Sequence, residues 1–170
     1  MFSLMRRRHG VSLDEFRRHW LDPHGPLVCR FPRLRRYSQN HIAAPRGELP
    51  LDGFAELAYD TDASQEATTR SPEMAACDRD SPLFIGSVLR VVCTDRVILP
   101  PPAEVTGAAK QITVFAGQAE AAAPALAEYR AATSKAAGLI GLVENIPLRQ
   151  RGPRSEVPVL VLDVSVAAIV

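Results

Sequence analysis

A capping box and an apolar stripe near the start of the chain predict its first helix. Ser12 and Glu15 have the spacing at which each side chain satisfies a backbone amide of the first turn, which predicts a helix that begins at Leu13. Leu13, Phe16 and Trp20 then recur at steps of three and four residues. They therefore share one apolar face that packs against the rest of the fold.

The expected end of this helix gives a histidine a defined position. Pro23 cannot continue a helix, so the helix is expected to end near Leu21. His24 is then expected just beyond the helix, in a turn fixed by Gly25 and Pro26, where it can donate or accept a proton near neutral pH. The alternative is that His24 only hydrogen-bonds the last helix carbonyls.

Composition indicates a globular protein without a bulk preference for nucleic acid or membranes. A chain of 170 residues with 46% hydrophobic residues can bury the core of one domain or two small ones. The net charge is +1, although arginines crowd the segment before Tyr37 and form either a solvated basic face or an anion-binding mouth. No window is long and apolar enough to span a bilayer. Three cysteines without metal-type spacing predict reduced thiols in a cytoplasmic protein.

Alternation and breaker residues predict the remaining elements. Strands are expected at residues 2–4, 34–42, 53–60, 88–98, 111–115, 139–146 and 157–166, and helices at 63–69, 71–80 and 119–135. Within the second strand, the period of two places Tyr37, Gln39 and His41 on one face and Ser38, Asn40 and Ile42 on the other. Glu56 in the third strand has apolar neighbours on its own face, so it is either exposed at an edge or desolvated with a raised pKa. Only the second state suits acid or base work.

The proline run at positions 100–102 marks the clearest boundary, because three consecutive prolines favour an extended segment. We therefore predict a first domain at residues 1–99, a linker at 100–108 and a second domain at 109–170. The second domain repeats the order strand, helix, strand, strand of the first, but lacks a closing helix and strand. The predicted fold class is α+β with a second, partial repeat.

The order strand, helix, strand, strand, helix, strand is that of a ferredoxin-like unit, and its motifs resemble the EthD family, named after ethyl tert-butyl ether degradation. The motifs are Arg6-Arg7-Arg8, Gly10-Val11-Ser12, Glu15-Phe16, Trp20, His24-Gly25-Pro26, Arg36-Tyr37, Gln39-Asn40-His41, Asp52-Gly53 with Glu56, and Asp80 with Phe84. Several motifs in the correct order, over about the first hundred positions, are far more specific than any one of them.

The resemblance implies a ferredoxin-like dimeric α/β barrel, in which two sheets face each other and each encloses a pocket on the side away from its helices. The assembly is then a homodimer or, through the second repeat, an intrachain pseudo-dimer. The resemblance also implies chemistry without a metal or organic cofactor, as in dehydratases, decarboxylases and cyclases that act on aromatic or polyketide-derived compounds. The function it implies is that of a lyase or isomerase acting through histidine acid–base chemistry.

Site residues follow from the same resemblance, position by position. The implied catalytic residues are His24, Tyr37, His41 and Glu56. The implied substrate-binding residues are Trp20, Arg36, Asn40 and Phe54. In this interpretation a neutral histidine removes a proton alpha to a carbonyl, Tyr37 hydrogen-bonds the enolate, and Arg35 or Arg36 anchors a carboxylate. Many relatives end the last strand with a Glu-His pair, where this chain has Thr94-Asp95-Arg96.

Three other interpretations have a basis in the sequence. The first is a non-catalytic small-molecule-binding protein or an accessory protein of a degradative oxygenase system. The second is a metal site formed by His19, His24 and His41, although no carboxylate or cysteine lies beside them at ligand spacing. The third is nucleic-acid binding by the arginine-rich start, which lacks interleaved aromatic residues and a known motif. We expect no metal, no nucleic acid and no membrane as a partner.

Overall fold

The computed structural model describes residues 1–42, 51–100, 108–116, 119–135, 139–151 and 160–168. The chain divides into two compact units, formed mainly by Met1–Arg90 and by Val91–Gln150. Residues 101–107 of the predicted linker lie outside the described residues, so the linker stays a prediction. Both units mix helices and strands, which confirms the α+β class.

The first unit contains a sheet covered by helices. Its elements are β1 (Phe2–Arg7), α1 (Leu13–His19), α2 (Gly25–Val28), β2 (Leu34–His41), β3 (Gly53–Tyr59), α3 (Asp62–Thr68), α4 (Pro72–Asp80) and the first residues, up to Arg90, of β4 (Ile85–Leu99). The strand order is β2-β3-β1-β4. β3 lies between β2 and β1 and is antiparallel to both.

The start of α1 is the one that the sequence predicts. The Ser12 hydroxyl accepts a hydrogen bond from the Glu15 amide at 3.2 Å, and the Ser12 amide donates to the Glu15 carboxylate at 2.9 Å. Phe16 and Trp20 on the apolar face of this helix are completely buried. The predicted cap of α4 is also confirmed, because the Ser71 hydroxyl accepts from the Met74 amide.

The predicted helix end near Leu21 is wrong, because the helical backbone passes through Pro23. Trp20–His24 forms a π-helical turn, in which the Gly25 amide donates to the Trp20 carbonyl five residues earlier, and α2 follows directly. Proline lacks an amide and its ring clashes with the preceding turn of a regular α-helix, and a π turn is wider. His24 therefore lies within helical backbone and not in a turn after it.

The two faces of the sheet carry different residues. Tyr37 pairs with Leu57 across β2 and β3, and this face packs against Phe16 and Trp20 in the core. Asn40 pairs with Phe54 on the opposite face. The predicted alternation along the second strand is therefore confirmed.

The second unit contains β5 (Ala108–Ala116), α5 (Ala119–Thr133), β6 (Leu139–Arg151) and β7 (Leu160–Ala168). β7 lies between β6 and β5 and is antiparallel to both. This agrees with the predicted order strand, helix, strand, strand. Among the helices that the structure describes, none combines the length and the apolar character needed to cross a lipid bilayer.

Candidate functional site

A small cavity lies in the first unit, between the helices and the sheet face that they cover. Its volume is about 50 Å³. The polar residues that line it are Ser3, His24, Tyr37, Ser81 and Arg90, with Trp20 among the apolar ones. Pockets for drug-sized ligands measure about 300–1,000 Å³, so this cavity holds only a few heavy atoms.

His24 is held in the wall of this cavity by Asp80 of α4. Nδ1 of His24 lies 2.8 Å from Oδ2 of Asp80, and His24 is only 7% exposed. A carboxylate only accepts hydrogen bonds, so Nδ1 carries the hydrogen and the lone pair of the neutral ring is on Nε2. No described residue hydrogen-bonds Nε2, which leaves this nitrogen available to a ligand.

The surroundings of His24 keep its ring neutral near pH 7. Desolvation by burial lowers the pKa of His24 below its ordinary value, and the hydrogen bond and charge of Asp80 oppose this effect only in part. The nearby charges of His19 and Arg90 also lower this pKa. A buried neutral imidazole with a fixed tautomer has the properties of a general base.

Tyr37 presents a neutral phenol to the same cavity. Its oxygen accepts hydrogen bonds from Nε1 of Trp20 at 2.9 Å and from Nε2 of Gln39 at 3.0 Å. Burial raises the pKa of Tyr37 to about 12, although both hydrogen bonds act in the opposite direction. Because its oxygen already accepts twice and no described residue accepts its proton, the hydroxyl is free to donate to a ligand.

His41 lies beside this arrangement and does not line the cavity. Its ring contacts that of Trp20 with centroids 4.6 Å apart, and its Nε2 is 3.1 Å from Oε1 of Gln39. Desolvation and the charge of Arg17 lower its pKa. His41 therefore contacts Trp20 and Gln39, the two residues that donate to the Tyr37 oxygen, and does not reach the cavity itself.

The other sequence-predicted residues lie on the opposite face of the sheet. Asn40 donates through Nδ2 to the Glu56 carboxylate and to the Phe54 carbonyl, both at 2.8 Å. Arg36 is exposed, and the period of two places it on the same face as Asn40. The structure thus brings His24, Tyr37, His41 and Trp20 together and separates them from Glu56, Asn40, Phe54 and Arg36. The resemblance implies a pocket on the sheet face away from the helices, which carries Asn40. The cavity instead opens on the face that the helices cover, which carries Tyr37.

Two residues of this site had no role predicted from the sequence. Asp80 is part of a motif, but its contact with His24 joins positions 56 residues apart, which no spacing rule reveals. Arg90 follows Val88 by two positions in β4, and this period of two was the available signal that both face the same side.

Asp80 also contacts a second histidine. Nε2 of His19 lies 2.9 Å from Oδ1 of Asp80, and the His19 ring stacks on Phe84. His19 lines a wider depression of about 440 Å³ beside α1. Asp80 therefore joins one histidine in the cavity wall to another at the surface.

The three histidines proposed as metal ligands do not form one group. His19 and His24 share Asp80, whereas His41 contacts Trp20. Within the part of the chain that the structure describes, no cluster of three or more His, Cys, Asp or Glu side chains is arranged to hold a metal ion.

The match to a family model supports the family resemblance over the first unit. Residues 8–87 match the model of the EthD domain. A crystal structure of an ethyl tert-butyl ether degradation (EthD) family protein from Bacillus halodurans is similar at 27% identity and a TM-score of 0.44, over 50% of this chain and 84% of that chain. No curated protein matches the chain significantly.

Proposed function

From the EthD domain at residues 8–87, we propose that the protein is a cofactor-independent lyase or isomerase that uses His24 as its acid and base on a small carbonyl compound. The observation that carries the proposal is that a buried His24–Asp80 pair and the Tyr37 hydroxyl line one cavity. An engineered cavity of about 150 Å³ holds benzene, so the smaller volume here favours a compact substrate over the aromatic or polyketide-like compounds of the family.

The first step is removal of a proton from the carbon beside the carbonyl group. Nε2 of His24 takes the proton, the carbon–hydrogen pair forms the enolate double bond, and the carbonyl pair moves onto oxygen. Tyr37 donates a hydrogen bond to this oxygen, and Asp80 stabilises the imidazolium that forms. The oxygen pair then re-forms the carbonyl group. If the enolate is conjugated with a carbon–carbon double bond, the far carbon of that bond can take the proton from His24, which gives an isomer. If the beta carbon carries a hydroxyl, the enolate pair forms a new double bond to that carbon as its bond to the hydroxyl breaks, and the hydroxyl leaves with the proton of His24 as water.

The assembly belongs to the same proposal. The strand order β2-β3-β1-β4 is the order of a ferredoxin-like unit, and it supports this assignment for the first unit. A homodimer or an intrachain pseudo-dimer is the arrangement that the family resemblance favours. We also propose a cytoplasmic location, on the basis of the three free cysteines.

Proton exchange tests the chemistry without knowledge of the product. Small ketones, aldehydes and 2-oxo acids are incubated with the protein in deuterium oxide, and loss of the alpha-proton signal is followed by NMR. We expect the wild type to accelerate exchange and His24→Gln to lower the rate by about 100-fold or more. His9→Gln is the matched control, because His9 is exposed and outside the cavity.

The pH profile adds a readout that a purely structural histidine does not give. The wild-type exchange rate should rise with pH through a pKa below 6.5 and then level off. Folded His24→Gln protein that exchanges at the wild-type rate would refute the role of His24. Absence of exchange with every compound would favour the non-catalytic binding protein.

A further inference from the structure

Arg90 is a charged group in the cavity wall without a carboxylate partner among the described residues. It lies in β4, is half-buried, and lines the cavity together with His24. Burial is the largest cause of the lowered pKa of His24, and the charge of Arg90 is a further cause. The Arg90 guanidinium and the His24 ring are therefore near each other. Transfer of a guanidinium from water to such a site is unfavourable unless its donors find acceptors.

Other arginines of the first unit do have such partners. The pairs are Arg7 with Asp52 at 3.0 Å, Arg70 with Glu66 at 3.5 Å, and Arg35 with Asp60. The side chains of these three arginines are 39% exposed or more, so they are more accessible to water than the half-buried Arg90. The half-buried Arg90 therefore has the stronger requirement for an anion and lacks one in the described residues.

Ser3 is a second polar group in the cavity without a partner there. It is 7% exposed, and no described residue hydrogen-bonds its hydroxyl. Ser3 and Arg90 thus both line the cavity, and both have hydrogen-bond donors that no described residue uses.

We propose that Arg90 binds the carboxylate of a small anionic ligand in this cavity, with Ser3 donating a further hydrogen bond. The inference rests on the proposed function and defines its substrate as a compact carboxylic acid. A planar guanidinium presents paired donors that match the two oxygens of a carboxylate. With a volume of about 50 Å³, the cavity admits an acid of a few heavy atoms.

The arginines that the sequence suggested for this role are placed elsewhere. Arg35 is already paired with Asp60, and Arg36 is exposed on the opposite sheet face from His24. Arg36 therefore provides a matched control, because the same substitution removes the same charge from the same unit outside the cavity.

The only tryptophan of the chain, Trp20, lines the cavity and gives a local probe of binding. The full-length protein is titrated at pH 7 with sodium acetate, and Trp20 fluorescence is recorded. Acetamide has the same shape without the charge, and sodium chloride at equal ionic strength controls for screening. We expect a saturable change with acetate only.

Substitutions assign the binding to one guanidinium. We expect Arg90→Gln to weaken acetate binding about tenfold or more, and Arg36→Gln to leave it within about twofold of wild type. Arg90→Lys should retain part of the affinity, since it keeps the charge but loses the paired donors. Circular dichroism checks that each variant is folded, and the acetate–acetamide comparison in the wild type is decisive even if Arg90→Gln does not fold.

Three results would overturn the inference: no saturable response of the wild type to acetate, equal responses to acetate and acetamide, or loss of binding in Arg36→Gln with retention in Arg90→Gln. The test is separate from that of the proposed function. Acetate binding that requires Arg90, without any proton exchange, would remove the reaction and keep the carboxylate site. Proton exchange of a 2-oxo acid that is unchanged in Arg90→Gln would keep the reaction and remove the carboxylate site.

Discussion

Asp80 should hold His24 more strongly than it holds His19, and a pair of double-mutant cycles measures the difference. Asp80, His24 and His19 are each replaced by alanine, alone and in pairs that include Asp80. Each cycle gives the interaction energy of one histidine with Asp80, because effects of the single substitutions cancel. The comparison tests whether the cavity histidine is the principal partner of this carboxylate.

The structure sets the expected magnitudes. The His24 side chain is 9% exposed and that of Asp80 14%, at a distance of 2.8 Å. A buried hydrogen bond to a charged group contributes about 1.5–3 kcal/mol. The His19 side chain is 26% exposed, at 2.9 Å. Solvent reduces such an interaction to about 1 kcal/mol or less.

Urea unfolding at pH 8, where the His24 ring is neutral, measures these energies. Trp20 fluorescence reports the first unit alone, because this unit contains the only tryptophan. The control is a cycle between His24 and Asp78, an exposed neighbour of Asp80 on α4, for which we expect an interaction energy near zero. An energy for His24–Asp80 equal to or below that for His19–Asp80 would refute the assignment of Asp80 to His24.

Two further predictions concern packing and pH. In Gly53→Ala, the new Cβ would lie 2.6 Å from Cζ3 of Trp20, so we expect a loss of about 1–3 kcal/mol in urea unfolding followed by circular dichroism. The loss should largely disappear in a Trp20→Phe background, and an equal loss there would contradict the steric explanation. Because burial lowers the pKa of His24 below 6.5 in the folded protein, the unfolded chain binds the proton more tightly. Stability should be fully present above about pH 6.5 and fall as the pH decreases, less steeply in His24→Gln, and an identical slope in that variant would contradict the burial of this ring.

Local rules were sufficient for elements whose signals lie within a few residues. The capping box at Ser12 and Glu15 predicted the start of α1 to the residue. Alternation along β2 was enough to place Tyr37 and His41 on one face and Asn40 on the other. These predictions succeed because the hydrogen bonds and side-chain directions concerned are fixed by the local backbone.

The site required information that local rules do not contain. The proline rule failed at Pro23 because a π turn, which depends on five consecutive residues and their packing, is an alternative to helix termination. The period of two had already placed Asn40 opposite Tyr37, and yet the family resemblance assigned both to one pocket. His24 has Asp80 as its hydrogen-bond partner and Arg90 as a neighbour in the cavity wall. These two residues belong to a helix and a strand far along the chain, so only the three-dimensional structure shows that they are close to His24.

The π turn has a consequence for how this segment tolerates changes in length. Val28 lies eight positions after Trp20, and both are buried in the same core. In a regular α-helix, eight residues leave two side chains about 80° apart around the axis. A π turn contains more residues per turn than an α-helix, so it reduces the angle between these two side chains. Its effect is that of one additional residue in the helix. An insertion or deletion between these two residues would change which side of the helix points inward, so homologues that differ in length here should also differ in the residue that they offer to the cavity.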